Sequence, residues 1–163
     1  AVGAWTQHLI GTASHPTSVF SADLDGDGDL DALLTSSADD QVIWYENDGT
    51  PAVDTWTARV VTTTAEIGFS VFAIDLDSDG DLDVLSASFG DDTIAWYEND
   101  GASPPAWTKH TISAQADGAR SVFAVDVDRD GDVDVVSASV LDDKVAWYEN
   151  NGATPPAWTA RTR

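Results

Sequence analysis

Three nine-residue stretches constrain this chain more than anything else in it. They read DLDGDGDLD at Asp23–Asp31, DLDSDGDLD at Asp75–Asp83 and DVDRDGDVD at Asp126–Asp134. Each sets five aspartates on alternate positions. Carboxylates this close repel one another, so something must compensate them. The three stretches hold 15 of the chain's 29 acidic residues, and the formal net charge is −22. A surface made acidic for solubility alone would spread its charge more evenly.

Numbered from its first aspartate, each stretch has the ligand rhythm of an EF-hand-type calcium loop. Positions 1, 3, 5 and 9 are Asp23, Asp25, Asp27 and Asp31 in the first loop. They are Asp75, Asp77, Asp79 and Asp83 in the second, and Asp126, Asp128, Asp130 and Asp134 in the third. Alternate side chains converge when the backbone wraps around an ion. Position 6 is Gly28, Gly80 or Gly131, and glycine permits the sharp turn needed there. Position 7 (Asp29, Asp81, Asp132) is expected to give its backbone carbonyl and to point its carboxylate outward. The apolar position 8 (Leu30, Leu82, Val133) is expected to turn inward and anchor the following strand. The glutamate that closes an EF-hand at position 12 is missing, since Ser86 stands there in the middle loop. One Ca2+ ion per loop, three in all, would bring the formal charge to −16. Magnesium fits less well, because it takes fewer protein ligands and keeps its water. The competing reading is three hairpin turns compensated by solvent alone.

The loops belong to a repeat. Trp5, Trp56, Trp107 and Trp158 stand 51 residues apart, each followed by Thr. From the first aspartate of each loop to the tryptophan of the next WYEN (Trp44, Trp96, Trp147) is 21 residues every time. Short apolar runs such as VFAID and VFAVD precede the loops. Alternating runs such as TIAWYEN and KVAWYEN follow them, as half-buried strands do. NDGASPPA and NNGATPPA carry turn signals and paired prolines that stop strands. The chain therefore reads as all-β, with propeller-type blades of four short antiparallel strands. Three blades are expected, at Ser18–Val61, Ser70–Ile112 and Ser121–Thr162, within a single repeat domain spanning residues 1–163. The first W-T segment, Trp5–Ile10, is expected to be a spare strand.

Composition narrows the partners. A chain with seven Lys and Arg against 29 acids repels nucleic acid and anionic membranes. No apolar run is long enough to span a bilayer. There is no Cys for a disulfide or thiolate site. There is also no Met, and the opening AVGAWT fits a processed or excised product.

A D-x-D-x-D-G-x-x-D loop between two strands, preceded by VFAVD and repeated about every 50 residues, resembles the FG-GAP/VCBS repeat family. The WYENDG and WT elements are similar to its bacterial branch. The resemblance implies a β-propeller, a structural calcium ion in each loop, and a secreted or cell-surface location. Two features depart from the family. The Phe-Gly…Gly-Ala-Pro signature is absent, FG occurring only at Phe89–Gly90. The family's rings also have about seven blades.

The remaining chemistry is sparse. Trp44, Trp96 and Trp147 are expected to pack between blades. Tyr45, Tyr97 and Tyr148, beside Glu46, Glu98 and Glu149, are the better candidates if glycans bind. The Asp-Asp pairs at 39–40, 91–92 and 142–143 are expected to make hairpin turns, with a weaker second cation site as the alternative. His8, His15 and His110 do not recur as a set, and no nucleophile sits beside a base, so no catalytic residue is assigned. Three blades do not close comfortably into a ring. The chain is a piece of a longer ring, two copies close one, or copies join head to tail with Trp5–Ile10 added to a neighbour's sheet. The expectation is a non-catalytic, calcium-stabilised extracellular module for self-association, scaffolding or adhesion, as a homo-oligomer or homopolymer. A carbohydrate-binding propeller is the rival.

Overall fold

The computed structural model describes residues 4–50 and 56–161. Those residues form twelve strands and no helix, in three four-stranded antiparallel sheets. Sheet 1 holds β1 (Pro16–Ala22), β2 (Asp31–Ser36), β3 (Gln41–Glu46) and β4 (Thr57–Thr62). Sheet 2 holds β5 (Gly68–Ile74), β6 (Asp83–Ser88), β7 (Thr93–Asn99) and β8 (Trp107–Ser113). Sheet 3 holds β9 (Ala119–Val125), β10 (Asp134–Ser139), β11 (Lys144–Asn150) and β12 (Trp158–Arg161). Each sheet pairs its strands in chain order, so every connection is a hairpin. The acidic loop always joins the first strand to the second.

Period-two patterning explains the stacking, because alternate residues of a strand face opposite sides of its sheet. Leu33, Val42 and Trp44 of sheet 1 bury against Val71, Ala73, Val84 and Tyr97 of sheet 2. Leu85, Ile94 and Trp96 of sheet 2 bury against Val122, Ala124, Val135 and Tyr148 of sheet 3. The WYEN tryptophan thus faces the following sheet and the tyrosine faces the preceding one. Phe20, Phe72 and Phe123, on the first strands of the three sheets, form a ladder with ring centroids 4.8 Å apart at each step.

Hydrogen bonds repeat across both interfaces in the same register. The Val71 amide donates to Ser18 Oγ and the Val122 amide to Ser70 Oγ, at 3.3 and 3.2 Å. The Asp40 carbonyl accepts from Ala65, and the Asp92 carbonyl from Ala116, both at 3.0 Å. The carboxylates of Asp40 and Asp92 accept from the amides of Ile67 and Gly118. Each of these aspartates sits at the tip of a hairpin, as expected of the Asp-Asp pairs, with φ near +55°.

The described residues make an open stack of three sheets, in keeping with three blades that do not close into a ring. Other expectations need correction. The strand expected at Trp5–Ile10 does not form; the segment is irregular, with Trp5 98% exposed. A strand needs an edge, and the place beside each WYEN strand is already taken by β4, β8 or β12. Position 8 of the acidic loop is not the general anchor. Leu82 and Val133 pack against the core, but Leu30 is 61% exposed. Position 2 is the deeper one where a following sheet covers it, since Leu24 and Leu76 are each 1% exposed.

Candidate metal centres

Each acidic loop folds back on its own first aspartate. Asp23 accepts hydrogen bonds from the amides of Asp27 and Gly28, and Asp75 from those of Asp79 and Gly80. Asp126 accepts from Arg129 and Gly131. The turn depends on left-handed backbone at position 6, where Gly80 and Gly131 have φ of +102°. Position 4 is left-handed as well, even where it is Ser78 or Arg129.

This wrapping brings carboxylates together. Ligand atoms of Asp23, Asp25 and Asp27 lie within 4.8 Å of one another, as do those of Asp75, Asp77 and Asp83, and of Asp126, Asp128 and Asp134. Each repeat therefore has one triad able to hold a metal ion. Position 5 (Asp27, Asp79, Asp130) also turns back to accept the amide of position 7. Position 7 joins no triad; the carboxylates of Asp29, Asp81 and Asp132 lie against the backbone of Gly49, Gly101 and Gly152. Among the described residues no triad forms at the Asp-Asp hairpins.

Position 9 has a second role. Asp31, Asp83 and Asp134 are buried, and each uses both carboxylate oxygens to bridge two segments. Asp83 accepts from the Leu76 amide at 3.0 Å and from the Asn99 amide at 2.9 Å. Asp31 does the same with Leu24 and Asn47, and Asp134 with Val127 and Asn150. The asparagine of WYEN, which the sequence reading passed over, is thus part of the site. Its side chain donates to the carbonyl of position 8 in its own loop. In sheets 2 and 3 it also reaches the carbonyl of Leu24 or Leu76 in the preceding loop. The fixed recurrence of Asn three residues after the WYEN tryptophan was the available signal.

Burial and crowding of carboxylates set the electrostatics of the loops. Burial, with neighbouring carboxylates adding to it, pushes Asp83 up to about 7 and Asp31 up to about 6. Burial and the position-5 charge also raise Asp25, Asp77 and Asp128. One oxygen of Asp77 is buried with no hydrogen-bond partner. A buried carboxylate oxygen left unsatisfied is costly, and a divalent ion between the triad would satisfy it. The residues present therefore fit a hard cation.

The aromatic candidates stand differently. Trp44 and Trp96 are buried between sheets, as expected, while Trp147 is half-buried on the open side of sheet 3. Tyr45, Tyr97 and Tyr148 are buried too, so they offer no face to a sugar. His110 stacks on Trp96 and bonds Glu98 at 2.7 Å, a packing role.

Fold and site together define a repeat protein of four-stranded antiparallel sheets, each headed by an acidic loop. The model of the FG-GAP-like repeat matches the chain twice, over residues 23–86 and 75–137. These two overlapping matches cover most of the chain, which belongs to the FG-GAP-like repeat family. No curated protein matches it.

Proposed function

We propose that this chain is a non-catalytic, calcium-stabilised extracellular module whose work is association, as a scaffold or adhesion element built from copies of itself. The observation that carries the calcium assignment is the thrice-repeated carboxylate triad, with its partnerless Asp77 oxygen in the second copy. Calcium takes six to eight hard oxygens in flexible geometry, and a loop of carboxylates and carbonyls offers that set. Magnesium demands stricter octahedral geometry and gives up its water reluctantly. Extracellular modules bind calcium with dissociation constants of about 0.1–1 mM, which supports placing a calcium-stabilised repeat outside the cell.

Two observations support association. Among the described residues, sheets 1 and 3 each leave one face without a partner sheet. Apolar side chains are exposed there whose repeat counterparts are buried. The glycan-binding alternative loses its best residues with the burial of the three tyrosines.

Calorimetric titration with calcium tests the reading. Binding of about three ions per chain is expected, with Asp77→Asn removing one of them. No saturable binding would overturn it.

A further inference from the structure

The bonds that join sheet to sheet leave matching ends at the two extremes of the stack. On sheet 3, Asp143 keeps the left-handed backbone of Asp40 and Asp92, at φ +54°. Among the described residues it receives none of the bonds those two receive from the next repeat. Val145 on the same face is 72% exposed, whereas its counterparts Val42 and Ile94 are fully buried. On sheet 1, Val19 is 72% exposed, whereas Val71 and Val122 are 5% exposed. Asn47 donates to its own loop at Leu30, while Asn99 and Asn150 donate to the preceding loop as well. One end carries the acceptor half of an interface that occurs twice inside the chain, and the other end carries the donor half.

The segment before sheet 1 fits the same scheme. Residues 11–15 already lie where the lead-in to sheet 2 lies. Ser37 and Ala38 donate to the carbonyls of His15 and Ser14, much as Phe89 and Gly90 donate to those of Ile67 and Glu66. The residues before them read WTQHLI, against WTKHTI in β8. In β8 the histidine stacks on Trp96 and pairs with Glu98, and Ile112 packs into the core. His8 and Ile10 supply the same two groups. The last repeat reads WTARTR, with Arg163 where the others place Ile or Val.

We propose that Trp5–Ile10 of one copy is the outer strand of sheet 3 in a second copy. It displaces Trp158–Arg161 and seats sheet 1 of the first copy on sheet 3 of the second. This deepens the association reading above and rests on it. Transferring the β7–β8 register by the repeat length pairs Thr6 with Glu149 and His8 with Trp147 of the other copy. His8 then stacks on Trp147, and Ile10 closes the apolar seam between the copies. The contact is heterologous, so it propagates until it closes a ring or grows a filament. The occupant is a second copy because the surface required is the one each repeat already presents to the next.

The chain has no Cys, so engineered pairs report cleanly. The variant carrying Thr6→Cys and Glu149→Cys, oxidised in millimolar calcium, should give a ladder of disulfide-linked multimers that reductant collapses. The variant carrying Thr159→Cys and Glu149→Cys ties β12 to β11 within one chain, since these residues pair there. Oxidation should reduce its particles to monomers by light scattering, and reduction should restore them. A purely intrachain disulfide in the first variant would overturn the proposal. Wild-type multimers without the ladder would also overturn it but leave self-association standing. A wild-type monomer at every concentration would overturn both, with the open faces then belonging to other repeats or another protein.

Discussion

The residue that ties fold to site is the aspartate at position 9. Asp83 is buried and its two oxygens hold the amides of Leu76 and Asn99, closing the acidic loop onto the end of β7. Asp83→Ala leaves both amides without a partner, at roughly 1–3 kcal/mol for each buried group. A loss of about 2–4 kcal/mol is expected in urea unfolding, and Asp83→Asn, which keeps one acceptor, should lose less. The same burial makes the metal-free protein sensitive to pH. Asp83 is pushed up to about 7 and Asp31 up to about 6 when folded, against about 3.9 for an unfolded aspartate. Between those limits the folded state binds more protons than the unfolded one, so stability falls as pH rises from about 4 to about 7. Bound calcium would favour the ionised form and hold its pKa down. Stability should then be present above about pH 4 and be lost as the solution is acidified. Melting temperatures from pH 4.5 to 7 should fall with chelator and stay level with calcium. Parallel slopes would contradict the assignment.

At the scale of the element, the acidic loop and the turn after WYEN form one unit. The position-7 carboxylate packs on the glycine of that turn; a Cβ on Gly101 would come within 2.5 Å of Asp81 Oδ2. Gly101 also has φ of +68°. Gly101→Ala therefore strains the backbone and turns the Asp81 carboxylate aside, and should cost about 1 kcal/mol and weaken calcium binding at the second loop. Thermal melts and calcium titration of that variant check it. Much of this unit was legible in the sequence. Alternating aspartates around a glycine specify a turn that gathers carboxylates, and strand period and turn residues specify four strands per repeat. Less legible were contacts between segments far apart in the chain. Nothing local says that Asp83 reaches Asn99, or that a tyrosine in an alternating strand is covered by the sheet before it. Leu30 was misread for a related reason. Its counterparts Leu82 and Val133 are covered by a preceding sheet, and sheet 1 has none. Trp5–Ile10 has the sequence of a strand, but strand formation needs a free neighbouring edge that this chain does not leave beside its WYEN strands.

At the scale of the whole molecule, the stack is a one-dimensional array in which each sheet contacts only its neighbours. Its outer faces repeat the inner ones, so in the proposed assembly the packing that stabilises the interior would also join copies. Val145→Asp puts a charge at a seam where Val42 and Ile94 are buried. It should abolish multimers in light scattering while leaving the monomer's melting temperature unchanged, because Val145 is exposed within one chain. Charge acts on the same scale. With a net charge of −22, the metal-free chain repels itself, and the repulsion concentrates in the three loops that head the sheets. Ions bound only to the folded state stabilise it by mass action. The most direct measurement is the melting curve in millimolar calcium and again after chelation. The account predicts a large fall in melting temperature on chelation and recovery when calcium is restored. Superimposable curves would contradict the claim that bound calcium holds the loops, and with them the sheets, in place.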